Sequence, residues 1–209
     1  MSNGDLKLAY FFALLHTLIT GLSFLFVKTA LKFASPLDVL AFRFSASLLA
    51  LMVPIMLKKI HLNYAGKNLL QLCSLGLLYP IAFFFFQTVG LVFATSSEGG
   101  IIQSVTPIFT MILAAIFLKE RTNNYQKIAI LMSVAGVVYI FVMKGAGLDL
   151  SEVLGITLLL ISALASAGYH ILTRITTRQF SITEISFMMT LLGFVFFNAA
   201  AIIGHMARG

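Results

Sequence analysis

The sequence predicts an all-α membrane protein of about seven transmembrane helices. Its 209 residues are 60% hydrophobic and 10% charged, where a soluble domain carries about 25% charged residues. Mean hydropathy is +1.02. The apolar residues gather into runs of roughly 20, the length a helix needs to cross about 30 Å of hydrocarbon.

Those runs are Leu8 to Val27, Leu37 to Leu57, Leu69 to Leu91, Ser97 to Leu118, Tyr125 to Met143, Val153 to Leu172 and Ile185 to Gly204. They lack the polar alternation of barrel strands. Capping chemistry marks several helix starts. Ser35-Pro36-Leu37-Asp38 supplies an N-cap serine, a proline at the first helical position and an acid at the third. Ser181-Ile182-Thr183-Glu184 and Thr95-Ser96-Ser97-Glu98 open the seventh and fourth helices in the same way, and Asp149-Leu150-Ser151-Glu152 is a looser version before the sixth. Gly145 and Gly147 are expected to close the fifth helix.

The net charge of +7 is placed for topology, not for nucleic acid. With loops assigned to alternate faces, Lys7, Lys58, Lys59, Lys67, Lys119, Arg121, Lys127, Arg174 and Arg178 fall on one side. Lys28, Lys32, Arg43, Lys144 and Arg208 fall on the other. The richer face is expected to be cytoplasmic, with the N-terminus inside a bacterial-type plasma (inner) membrane.

An offset of 146 residues aligns Lys28 with Arg174, Lys32 with Arg178, Ser35 with Ser181, Asp38 with Glu184 and Val39 with Ile185. Five runs lie within that offset, so a second copy enters the membrane in the opposite sense, a construction common in secondary transporters. The first copy covers 6–144. The second, 149–209, holds two helices and is incomplete, so the expectation is a fragment or a fold completed by another chain. Shared caps and flanking bases of any two helical hairpins are the alternative explanation.

No metalloprotease, nucleophile-elbow, phosphate-loop or paired-cysteine motif is present, so neither an enzyme nor a cofactor or metal site is expected. Polar residues within apolar runs are costly and mark candidate sites. His16 and His170 read either as substrate or proton contacts or as neutral rings bonded to a neighbouring helix. Tyr169 offers a ring and a hydroxyl to a ligand, or anchors the interface. Gln87 and Thr88, and Gln103, Ser104 and Thr106, are uncharged hydrogen-bonding groups in apolar surroundings. Pro107 removes a helical donor and frees a carbonyl near Gln103, and Tyr79-Pro80 invites the same reading, as a site feature or as a structural kink. Glu98 suits a capping box better than a cavity. Arg43 either snorkels outward, pairs with Asp38 or Glu98, or holds an anionic group, while Lys28 and Arg174 read as interfacial anchors. Ser162, Ala163, Ser166, Ala167 and Gly193 are expected to let helices approach closely.

The segment Gly90 to Ile140 resembles the EamA-type family of the drug/metabolite transporter superfamily. The resemblance rests on Thr106-Pro107-Ile108-Phe109, Lys119-Glu120-Arg121 and Ala135-Gly136-Val137, and earlier on Gly21-Leu22-Ser23-Phe24, Lys28, Ser35-Pro36 and Arg43-Phe44. Thr20 stands where a tryptophan commonly precedes that first glycine. The resemblance implies a ten-helix bundle of two inverted five-helix repeats around a central cavity, with both termini cytoplasmic, three helices of which this chain lacks.

The expected function is secondary transport of small metabolites such as amino acids by alternating access, with His16, Tyr79, Gln87, Gln103, Tyr169 and His170 lining the cavity. Expected partners are the small-molecule substrate, the lipid bilayer and either a second copy or a completing chain, with no nucleic acid. Two competing expectations are a truncated membrane protein acting only through helix-helix association, and an intramembrane enzyme using His16 and His170.

Overall fold

The computed structural model describes residues 3–60, 62–120, 123–143 and 149–207. They form α1 (Asn3–Ala30), α2 (Pro36–Met56), α3 (Leu69–Gly76), a π-helical turn (Leu77–Ala82), α4 (Phe83–Phe93), α5 (Ser96–Gln103), α6 (Thr106–Phe117), α7 (Asn124–Met143), α8 (Leu150–Thr176) and α9 (Ile182–Met206). Among the described residues, six helical stretches are long and apolar enough to span a membrane. The fifth expected run, α7, is a helix of 20 residues that stands outside this count, and several of its side chains lie outside the described residues. Gly145, Gly147, Arg121, Lys144 and Arg208 also lie outside them. Large apolar side chains such as Leu14, Phe26, Leu49 and Phe117 face outward, as lipid-facing positions do in a multi-pass membrane protein.

Two of the expected runs are broken helices. The third bends at Tyr79, whose backbone is extended (φ −146°, ψ 111°) inside the π-helical turn. Pro80 explains both features, since it lacks an N–H and its ring pushes the preceding residue out of the α region. The fourth run breaks between Gln103 and Thr106, with Pro107 in the first turn of α6.

The caps form as the sequence predicts. Ser35 and Ser181 open α2 and α9 with nearly identical backbone angles, and both accept from the N–H three residues on. Asp149 caps α8 without a side-chain bond. At α5 the capping box is complete: the Glu98 N–H donates to Thr95 Oγ1 (3.2 Å), and the Thr95 N–H donates to Glu98 Oε2 (2.7 Å). Glu98 therefore serves the helix start and does not line the hollows described below. Thr95→Ala is expected to cost about 1 kcal/mol of stability, read as a lower midpoint of thermal unfolding in detergent.

The longest buried helix, α8, runs through the middle and packs on α4, α5 and α6. Lipid offers no hydrophobic drive for helix association, so close approach of small residues matters most. Ala163 and Ala167 are fully buried, and the Ser162 hydroxyl donates to the Phe83 carbonyl across the interface (3.0 Å). The closest approach is at Gly90 and Gly155, where a Cβ on Gly155 would stand 2.8 Å from Phe93 Cβ and 3.1 Å from the Ala94 nitrogen.

The second interface joins α2 to α9, antiparallel. At one end Asp38 meets His205 (2.7 Å). Midway, Asn198 Nδ2 donates to Ser45 Oγ (3.2 Å), and the Phe44 ring stacks on Phe197 and lies where a Cβ on Gly193 would fall. At the other end Glu184 accepts from Lys67 Nζ (2.6 Å) and from the Asn63 N–H (3.0 Å). The Tyr64 hydroxyl donates to the Glu184 carbonyl (2.9 Å). Burial pushes the Tyr64 phenol up, aided by the Glu184 carboxylate, so it remains a donor at neutral pH. Residues expected to correspond by the 146-residue offset thus cap facing helices at opposite ends of one seam.

An apolar trough of about 490 Å³ lies between the π-helical turn, α6 and α8, walled by residues such as Leu78, Leu113, Phe117, Ile161 and Leu164.

Candidate functional site

The six residues singled out in the sequence, His16, Tyr79, Gln87, Gln103, Tyr169 and His170, line one cavity of about 390 Å³. They come from α1, the π-helical turn, α4, α5 and α8. The helix breaks are what bring them together. An unbroken third span would keep Tyr79 in helical register, whereas the extended residue lies against α8, its ring stacked on Tyr169 at 4.4 Å and on Phe83 at 4.9 Å. Gln103 sits at the last turn of α5, where its Nε2 donates to Thr106 Oγ1 (2.8 Å). Gln87 is buried on α4 with its side chain in the lining.

Other polar residues fall elsewhere. Thr88 is fully buried and is not among the residues lining the cavity. Ser104 and Thr106 line a larger hollow of about 860 Å³ that shares His16, Gln103 and His170 with the inner cavity. This hollow extends to the end of the bundle bearing Gln126 and the ion pair of Arg174 with Glu120 (2.6 Å). The opposite end is packed shut by Phe24, Val27, Leu91, Ala94 and Ile102. Lys28 ties that end, donating from Nζ to the Leu91 carbonyl (2.7 Å) and the Val92 carbonyl (3.2 Å). There it satisfies carbonyls at the C-terminus of α4, where a cation is favoured. Lys28 and Arg174 are therefore cross-links between helices as well as interfacial groups.

The sequence did not place Arg43 in the site. Of the alternatives open for Arg43, the structure does not show it snorkelling outward: it lines the inner cavity with its guanidinium 4.4 Å from the centre of the Phe84 ring. Of the two expected acid partners, Asp38 is engaged by Ser35 and His205, and Glu98 serves the capping box at α5. The signal was available, since a base two turns inside an apolar helix is costly unless it faces the bundle interior. Ser23 and Ser166 also join the lining. Among the described residues no group of histidine, cysteine and acid side chains is arranged to hold a metal ion.

The model of the EamA-like transporter family matches residues 7–142. The chain belongs to that family. It is 48% identical over 201 residues to the uncharacterized transporter YcxC of Bacillus subtilis, covering 96% of this chain and 64% of that protein. An uncharacterized transporter of Archaeoglobus fulgidus is 30% identical over 149 residues, covering 71% of this chain and 51% of its own length. YyaM of Bacillus subtilis, another uncharacterized transporter, is 28% identical over 132 residues, covering 63% and 43% respectively. The chain thus spans between about two fifths and two thirds of these EamA-like relatives. No solved structure matches it. The matched segment contains most of α1, all of α2 to α6 and most of α7, so it includes four of the six predicted site residues; Tyr169 and His170 lie beyond it on α8.

Proposed function

We propose that this EamA-like protein is a secondary transporter of small metabolites, amino acids among them, working by alternating access. The observation that carries the reading is the cavity itself. Polar groups from five spans converge on a hollow inside an apolar bundle, open toward one end and packed shut at the other. Polar side chains at membrane depth are tolerated where they line such a hollow and mark a substrate path. His16, Tyr79, Gln87, Gln103, Tyr169 and His170 are the proposed substrate contacts. The charge bias of the loops supports an open end facing the cytoplasm, and it grows stronger once Arg43 is withdrawn from the opposite face.

The antiparallel seam of α2 and α9, the length of the relatives and the apolar trough beside α8 support a larger bundle of two inverted repeats. Further helices, in the same or a second chain, complete it in this reading. Helix association without transport leaves the convergence of polar groups on an internal cavity unexplained.

The test is uptake and efflux of labelled amino acids in vesicles carrying the protein, compared with Gln103→Ala and His16→Ala. Each variant is expected to lower the rate about fivefold, the effect of losing one hydrogen bond of about 1 kcal/mol to substrate. Full rates in both variants would remove this site assignment.

A further inference from the structure

We infer that the inner cavity receives an organic anion, a compound with a carboxylate on an apolar or aromatic body, and that Arg43 binds the carboxylate. The inference rests on the transport reading above and names the substrate class of the same cavity.

Charge balance is the first argument. Among the described residues that line the inner cavity, Arg43 is a permanent cation and none is an aspartate or glutamate. The nearest acid along the hollow, Glu120, lies at the outer mouth and is held by Arg174. Asp38, on the same helix as Arg43, is engaged by Ser35 and His205 at the far end of the α2–α9 seam. The chamber is therefore positive, and a bound anion neutralises it where a bound amine adds like charge. At membrane depth the surrounding dielectric is low, so this difference is larger than in water.

The hydrogen-bonding state of Arg43 is the second argument. Its Nη1 is buried and meets no hydrogen-bond partner among the described residues. A buried donor on a charged group is expensive to leave without an acceptor. The face of Phe84 holds the guanidinium plane by a cation–π contact but accepts no conventional hydrogen bond from it. A carboxylate suits the remaining donors, because its two oxygens match the guanidinium fork.

The walls define the rest of the ligand. Tyr79 and Tyr169 stack at 4.4 Å, and Phe83 and Phe84 meet edge to face at 4.7 Å, so one side of the chamber is aromatic. Gln87 and Gln103 stand apart as neutral donors and acceptors. A ligand with one charged end and a flat or bulky apolar body uses both surfaces.

The experiment takes the purified chain in detergent and titrates two probes of the same body and opposite charge, 3-phenylpropionate and phenethylamine, following ligand-induced thermal stabilisation. The acid is expected to bind the unaltered protein at least about tenfold more tightly than the amine, the size of one charge-assisted hydrogen bond gained against a repulsion. Arg43→Gln is expected to lose at least about tenfold in acid affinity, and Arg43→Lys, which keeps the charge without the fork, to fall between. Equal or tighter binding of the amine, no binding of the acid, or unchanged acid affinity in Arg43→Gln would overturn the inference. The acid-to-amine ratio of the unaltered protein is read without any variant, so a misfolded Arg43→Gln does not blunt the test. Parallel flux measurements in vesicles separate the two readings. Arg43-dependent acid binding without flux contradicts transport alone, whereas amino-acid flux with no preference for the acid contradicts the anion assignment alone.

Discussion

Gly155→Leu is expected to abolish folded, monodisperse protein. Even Gly155→Ala sets a methyl group 2.8 Å from Phe93 Cβ and about as close to backbone as contacts allow, with the Ala94 nitrogen and the Gly90 carbonyl oxygen both at 3.1 Å. Flexible side-chain ends can swing aside, but these are backbone atoms and a Cβ, so α4 and α8 must separate. Separation also strains the buried bond from Ser162 to the Phe83 carbonyl. Overpacking of this kind costs about 1–3 kcal/mol for a single methyl, and the leucine adds three further carbons to the same gap. The measurement is size-exclusion profile and thermal midpoint in detergent. Gly136→Ala is the comparison: a Cβ there meets nothing within 4 Å. It is expected to be neutral or to stabilise α7 by roughly 0.5–1 kcal/mol through helix propensity.

Glu184→Ala is expected to be the most damaging substitution of an acid. One buried carboxylate accepts from Lys67 Nζ, the Asn63 N–H and the Ser181 N–H, fastening the α2–α3 loop to the start of α9. Alanine strands all three donors together, and stranding a buried donor costs about 1–3 kcal/mol. Lys67 keeps partial access to solvent, which moderates its share. Glu184→Gln retains an acceptor oxygen and should fall between alanine and the unaltered protein in thermal midpoint. The corresponding change at the other end of the seam, Asp38→Asn, should matter less, because its partner His205 is largely exposed and exposed pairs contribute about 0–1 kcal/mol.

The contrast between these two acids shows what was legible in the sequence. Both appear there in the same role, third residue of a capped helix, and both adopt it. Their partners across the fold, Lys67 and His205, carry no local signal, because each comes from a distant stretch of chain. The spans were legible for the opposite reason: run length and hydropathy are local properties fixed by the bilayer. The bend at Tyr79 was partly legible, since Pro80 announces a lost hydrogen bond. That the bend would project a ring onto Tyr169 was not, because the direction of a kink depends on what packs beside it. Arg43 shows the limit most clearly. Sequence position left it open whether Arg43 snorkels outward, pairs with an acid or holds an anionic group, and the facing of α2 against α4 turned it inward over Phe84. His16, Gln103 and His170 were singled out as polar residues within apolar runs, a criterion that applies equally to Arg43.

The crossing of α4 and α8 also bears on motion. From Gly155 to Arg174, α8 extends for about 28 Å at 1.5 Å per residue. A rigid rod pinned at one end amplifies small rotations: a tilt of about 10° about the glycine crossing displaces the Arg174 end by about 5 Å, close to one helical pitch. His170 and Tyr169 ride on the same arm. The close crossing of α4 and α8 is thus placed where a fulcrum has leverage over the Arg174 end of the hollow.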